Sequence, residues 1–167
     1  MSDRIEIKME KCRVGAVIPT YANDGDAGMD IYAAEDVIIE PGRTALIPTG
    51  IKMAIPYGYE VQIRPRSGIS LKTPLRIPNA PGTIDCGYRD EVNVIMYNAS
   101  FSEENPDAEP LLISNKGCIH GVYKICKGDR VAQMVVAKVE YCDPVVVDSV
   151  ADIGENRGGG FGSTGTN

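Results

Sequence analysis

A single histidine, His120, in 167 residues removes whole classes of chemistry before any motif is read. A multi-histidine metal site is impossible, and a Ser/His/Asp triad would have to run through that one imidazole. The five cysteines are odd in number and show no CxxC, so neither a disulfide framework nor a zinc site is indicated. Positive charge is also short: 17 Lys and Arg stand against 23 Asp and Glu, a formal charge of −6. That balance disfavours a general nucleic-acid binder and points to a small ligand whose charge is met locally. No stretch approaches twenty apolar residues and no signal-peptide pattern opens the chain. Nothing therefore points to a membrane or to export, and the cytoplasm is the expected location. Hydrolytic chemistry, if present, must rest on carboxylates, arginines and a metal held mainly by the substrate.

A sustained 3.6-residue apolar repeat is missing as well, whereas short β-prone runs recur: IEIKM, VIIEP, TALIPTGIKMAI, YEVQI, EVNVIMYN, VYKICKG, RVAQMVVAKVEY and PVVV. With 18 glycines and 11 prolines between them, they predict an all-β sandwich, jelly roll or barrel with tight connections. The length suits one domain, taken as residues 1–150, followed by an arm over 151–167 where apolar content falls away. Residues 99–121 break the strand rhythm with an acidic, proline-containing stretch. This is expected to be a surface insertion; it could cover a functional face, but the simpler reading gives it no part in the site.

The end of the chain is the densest chemical signal. ENRGGGFGSTG carries five glycines among residues 158–165, which free the backbone to aim N–H groups at oxyanions. Arg157 adds a fork-shaped cation and Phe161 a flat face for a base. A floppy polar tail is the bland alternative. A Walker loop is excluded by the lack of GxxxxGK.

Four more segments accompany it: DAGMDIYA at 26–33, PRSG at 65–68, NAPGTIDCGYRDEV at 79–92 and GDRVAQ at 128–133. PRSG sets a guanidinium and a hydroxyl beside a glycine, all suited to phosphate oxygens, although Arg66 alone could be a surface ion pair. The segment from Asn79 to Asn98 is expected to form a hairpin that turns near Cys86 and Gly87. Tyr88 on its own would be a half-buried strand aromatic, and Asp85 a turn cap. Asp129 and Arg130 on their own could be a structural ion pair.

Taken in order, the five segments resemble all five motifs of the trimeric dUTP pyrophosphatase family, from about Asp26 to Gly165. The resemblance implies a β jelly roll with a mobile C-terminal arm, assembled as a homotrimer with shared sites. It implies hydrolysis of dUTP to dUMP and pyrophosphate by water attack at the α-phosphorus, which limits uracil incorporation into DNA and supplies dUMP for thymidylate synthesis. Asp85 would orient and deprotonate the water. Arg66, Ser67, Gly68 and Gln133 would contact the phosphates. Uracil recognition falls to the segment containing Asn79, Gly82, Thr83 and Ile84, while Tyr88 packs against the deoxyribose. Asp30 would support the site from behind. Arg157, Phe161, Gly162 and Ser163 would close over the nucleotide, and Mg²⁺ would be held mainly by the substrate phosphates, with no direct protein ligand. Two other functions are weighed: a dCTP deaminase-like enzyme of the same fold, against which Tyr88 and the arm argue, and a nucleotide-gated module in which 99–121 engages a protein partner. Two departures from the family pattern stand out. The spacing from Arg157 to Phe161 is one residue shorter than is common, and Asp90 occupies a usual glycine position.

Overall fold

The computed structural model describes residues 4–101, 109–115 and 117–155. Residues 156–167, with Arg157, Phe161, Gly162 and Ser163, lie outside the described residues, as do 102–108 and 116. The described elements run β1 (Lys8–Lys11), β2 (Met29–Tyr32), β3 (Val37–Ile39), β4 (Thr44–Pro48), β5 (Ile51–Ala54), β6 (Tyr59–Arg64), α1 (Ser67–Lys72), β7 (Leu75–Arg76), β8 (Gly82–Ile84), β9 (Asn93–Asn98), β10 (Leu111–Leu112), β11 (Tyr123–Ile125) and β12 (Arg130–Lys138). They form four sheets: β1-β5, β10-β11-β3, β2-β12-β6-β8 and β4-β9-β7. The all-β expectation holds apart from the six-residue α1, which has only Ile69 buried. One helical turn and a half cannot display a periodic face, so the sequence gives no warning of it.

Alternation builds the core. In β9 the side chains of Val94, Met96 and Asn98 point inward while Asn93, Ile95 and Tyr97 are half-buried. β6 buries Val61 and Ile63 in the same way. These meet Ile47, Ile51, Leu75, Ile125, Val131 and Met134, all essentially sealed from solvent. Each such side chain stabilises the fold by about 1.5–3 kcal/mol relative to exposure. Asn98 is the polar exception, with its hydrogen bonds met inside the protein. Its Nδ2 donates to the carbonyls of Ile39 and Gly121 at 2.9 and 2.8 Å, and its Oδ1 accepts from Ser100 N–H at 3.1 Å. That buried amide ties the two ends of the 99–121 segment together.

Between β4 and β5, Gly50 sits at φ +70°, and a Cβ there would lie 2.6 Å from the Ala16 Cβ. Only glycine meets both demands. It divides the expected TALIPTGIKMAI strand into two that serve different sheets.

Three further expectations need correction. The strands after Asn79 do not form a hairpin: β8 pairs with β6, whereas β9 pairs with β4 and β7. The chain between them is drawn to the β4–β5 corner, where Val92 N–H donates to the Ile51 carbonyl at 2.9 Å and Thr49 Oγ1 donates to the Val92 carbonyl at 2.6 Å. PVVV makes no strand, and Val145 and Val146 are 80% and 96% exposed. A strand needs a neighbour for its backbone groups, and this segment pairs with none of the described strands. The insertion also carries structure of its own, because β10 pairs with β11 in parallel.

Candidate functional site

The sheet β2-β12-β6-β8 brings three of the motifs to one end. Gln133 of β12 stands opposite Asp30 of β2 on one side and opposite Arg64 of β6 on the other. Two residues beyond Arg64, the chain enters α1 through Arg66. Asp30 is only 4% exposed and accepts from two arginines: Arg66 Nε at 3.0 Å and Arg130 Nη1 at 3.2 Å. Arg66 Nη1 also donates to the Arg130 carbonyl at 3.2 Å. The buried carboxylate therefore fixes the approach of two guanidiniums, an arrangement that could meet an anion more readily than two loose side chains could.

The surface ion pair considered for Arg66 is thus a link to a buried partner. The pairing considered for Asp129 with Arg130 is absent: the Asp129 carboxylate instead accepts from Cys126 N–H at 2.8 Å and closes a turn. Arg66, Gly68, Lys72 and Arg130 line a cavity of about 370 Å³. Ile113 and Ser114 line it too, so the 99–121 segment reaches the cavity beside Arg66. Ser67 and Gly68, both exposed, open α1 at its rim. Close by on the sheet, a Cβ on Gly28 would touch the Gln133 side chain at 3.4 Å, which shows how tightly motifs one and four pack.

The segment expected to read the base lies along the other edge of β6. Gly82 is buried beneath Asn79, whose Nδ2 would be 3.1 Å from an added Cβ. Thr83 is exposed and Ile84 half-buried. The exposed Asp85 follows, and its backbone carbonyl accepts from Tyr88 N–H at 3.1 Å. The backbone, rather than the carboxylate, closes this turn, and the exposed side chain is not needed for it. Tyr88 sits in the turn, not on a strand. It is 39% exposed, and its hydroxyl donates to the Glu91 carbonyl at 2.9 Å.

These two groups are apart within one chain. Ile84 pairs with Val61, so Asp85 lies toward the start of β6, whereas Arg66 lies beyond its end. Five to six residues at ~3.3 Å each separate them by roughly 15–20 Å. Tyr88 lines its own cavity of about 570 Å³ with Arg13, Asp90 and Glu91, and none of its lining residues belongs to the cavity around Arg66. Sequence reasoning gave no role to Arg13, or to Glu91 within the 79–92 segment. Arg13 grips the Glu91 carboxylate through Nε at 2.7 Å and Nη2 at 2.8 Å across 78 positions, and no local pattern announces such a pair.

The dUTPase family model matches residues 15–103, more than half of the chain. The chain belongs to the dUTPase family. It is 42% identical over 162 residues to the deoxyuridine 5'-triphosphate nucleotidohydrolase of Picosynechococcus sp., covering 97% of this chain and 100% of that protein. The nucleotidohydrolase of the same description from Solibacter usitatus is 42% identical over 171 residues, with 99% of each chain covered. Among solved structures, a mutant dUTPase of Staphylococcus bacteriophage 80alpha with dUpNHpp superposes with a TM-score of 0.86 at 30% identity, covering 96% of this chain and 99% of that one. A mutant dUTPase of phage phi11, described for its coordination of a structural Mg(II) ion, matches with a TM-score of 0.79 at 28% identity over 87% of this chain and 99% of its own. The family's β-rich fold and this chain's sheets therefore agree.

Proposed function

We infer that this protein hydrolyses dUTP to dUMP and pyrophosphate. The observation that carries the reading is the match to dUTP nucleotidohydrolases along nearly the whole chain. In this reading the water is held and deprotonated by Asp85, whose carboxylate is exposed at a turn and able to meet substrate. Asn79 and the backbone of Gly82, Thr83 and Ile84 face the uracil, and Tyr88 faces the deoxyribose. Arg66, Ser67, Gly68 and Gln133 take the triphosphate, and Asp30 orients Arg66. The arm residues Arg157, Phe161, Gly162 and Ser163 cover the nucleotide.

The separation of Asp85 from Arg66 favours an active site shared between copies, in a homotrimer closed by threefold symmetry. One triphosphate cannot span both groups of one chain, but it can lie between Asp85 of one copy and Arg66 of the next. The exposed valines at 145, 146 and 150 support such an assembly, because they offer an apolar, unpaired segment to a neighbour. All five cysteines are free, as suits a reducing cytoplasm.

Mg²⁺ fits as a substrate-borne ion. The buried carboxylate at the phosphate end, Asp30, already serves two arginines, and among the described residues no three His, Cys, Asp or Glu converge. An ion that keeps its waters and binds chiefly through phosphate oxygens needs no such cage. Bound with the substrate, it would neutralise phosphate charge. The chain's own residues would bind, orient and take the water's proton.

Release of pyrophosphate and of ammonia from dUTP and dCTP tests the reaction: pyrophosphate from dUTP alone is expected, and ammonia would overturn the reading. Complementation tests the shared site. Asp85→Asn and Arg66→Ala chains, each inactive, are mixed after dissociation. If one copy supplies Asp85 and its neighbour Arg66, random assortment leaves about a quarter of the sites intact. Mixed trimers verified by mass with no recovered turnover would rule out sharing.

A further inference from the structure

We propose that Arg13 and Glu91 determine the discrimination between deoxyribose and ribose by holding Tyr88 in place. The inference rests on Tyr88 facing the sugar, as proposed above. The Tyr88 ring is attached to the protein at two points. Its backbone belongs to the turn that closes on the Asp85 carbonyl, and its hydroxyl reaches the Glu91 carbonyl at 2.9 Å. A ring 39% exposed has little packing on its open side, so the position of that carbonyl decides where the ring stands.

The carbonyl is held from both directions. On its own residue, the Glu91 carboxylate receives Arg13 Nε at 2.7 Å and Gly50 N–H at 2.7 Å on Oε1, and Arg13 Nη2 at 2.8 Å on Oε2. On the following residue, Val92 is bound to Ile51 and Thr49 at the β4–β5 corner. Arg13 is in turn braced by Glu35, which accepts from Nη1 at 3.1 Å, and the neighbouring Cys12 N–H donates to the Gly50 carbonyl at 2.8 Å. A two-point guanidinium–carboxylate contact fixes direction as well as distance. The cavity of about 570 Å³ beside the ring provides the room into which an unheld Tyr88 would swing. A ring free to tilt there no longer collides with a 2′-hydroxyl. None of the five motif segments contains Arg13, so a residue outside them sets sugar choice through Tyr88.

The test compares kcat/KM for dUTP and UTP in Arg13→Met, Arg13→Lys, Glu91→Gln, Tyr88→Ala and the double variant Arg13→Met with Tyr88→Ala. Arg13→Met and Glu91→Gln are expected to lower the dUTP/UTP ratio about tenfold, while dUTP turnover stays within about threefold of the unsubstituted enzyme. Arg13→Lys keeps the charge but loses the fork, and should fall between. The double variant should match Tyr88→Ala alone, because residues acting as one unit are not additive. If Arg13→Met fails to fold, the ratios of Arg13→Lys and Glu91→Gln decide. A ratio lowered by Tyr88→Ala but unchanged in the folded Arg13 and Glu91 variants would overturn this proposal and leave the sugar-facing role of Tyr88 standing. A ratio unchanged in Tyr88→Ala would overturn both.

Discussion

Replacing Asp30 by asparagine separates what the buried carboxylate does for the fold from what it does for the site. The side chain keeps its volume, so the 4%-exposed position is not emptied, but the charge that two guanidiniums share is gone. Removing one partner of a fully buried pair costs about 3–5 kcal/mol. Here the arginines are not fully buried: their side chains are 24% and 51% exposed, and water screens both. Two hydrogen bonds to a charged group, at about 1.5 kcal/mol each and discounted for the exposure of Arg130, give a loss of about 2–3 kcal/mol. For a domain of this size that lowers Tm by roughly 4–12 °C, measured at one fixed protein concentration so that the proposed assembly contributes equally. Turnover should fall further than stability explains. The amide keeps one acceptor oxygen where the carboxylate offers two, so one of Arg66 and Arg130 loses its anchor and the other its charge partner, and dUTP kcat/KM measured well below the new Tm should drop by at least ~10-fold. An Asp30→Asn protein that melts within a degree of the original and keeps its kcat/KM would refute the argument that this carboxylate presets the anion site.

Asp85→Asn keeps shape and hydrogen bonding but cannot take the water's proton, so it should bind a non-hydrolysable dUTP analogue nearly normally while turnover falls by at least ~10²-fold; turnover within a few-fold of the original removes Asp85 from that role. Gly82→Ala places a methyl 3.1 Å from Asn79 Nδ2 and 3.5 Å from the Ile63 Cβ. Asn79 must shift, so KM for dUTP should rise several-fold with a stability loss of about 1 kcal/mol by denaturant titration, and an unaltered KM would show that Asn79 does not meet the base. Glu91 is held below the usual glutamate range, first by the Arg13 hydrogen bond and then by the Gly50 N–H, against its partial burial. Its ionised form therefore adds stability that is fully present above the unfolded value of about 4.3 and disappears as pH falls through the lower folded value. The Tm difference between the original protein and Glu91→Gln should hold steady from pH 7 to 5 and shrink below about pH 4, whereas a difference constant down to pH 3 contradicts the ion pair.

Strand positions were legible where one face is buried by the chain itself. The alternation of NVIMYN and YEVQI translates directly into Val94, Met96, Val61 and Ile63 in the core. PVVV carries an equally strong β signal, yet Val145 and Val146 face solvent in a single chain. Periodicity reports that a segment wants an apolar partner, not whether that partner lies in the same molecule. The hairpin expectation failed for a related reason. A turn at Asp85–Tyr88 does exist, but the chain beyond it is captured by Ile51, Thr49 and Arg13, residues 40 or more positions away that no turn rule includes.

The motifs fared differently from their connections. Asp30, Arg66 and Gln133 converge because antiparallel register places Gln133 between Asp30 and Arg64, a consequence of three strands meeting rather than of any one segment. Residue types named the chemistry, and topology decided which groups could act together. The same register that unites Asp30, Arg66 and Gln133 carries Asp85 to the far end of β6. With the roles proposed for Asp85 and Arg66, a site assembled from one chain would leave either the water without its phosphate or the phosphate without its base. If Asp85 activates the water and Arg66 takes the phosphates, as proposed, the direction of β8 calls for assembly between copies: antiparallel to β6, it takes each residue after Gly82 farther from Arg66 of its own chain, and a neighbour's sheet end would have to supply the phosphate contacts.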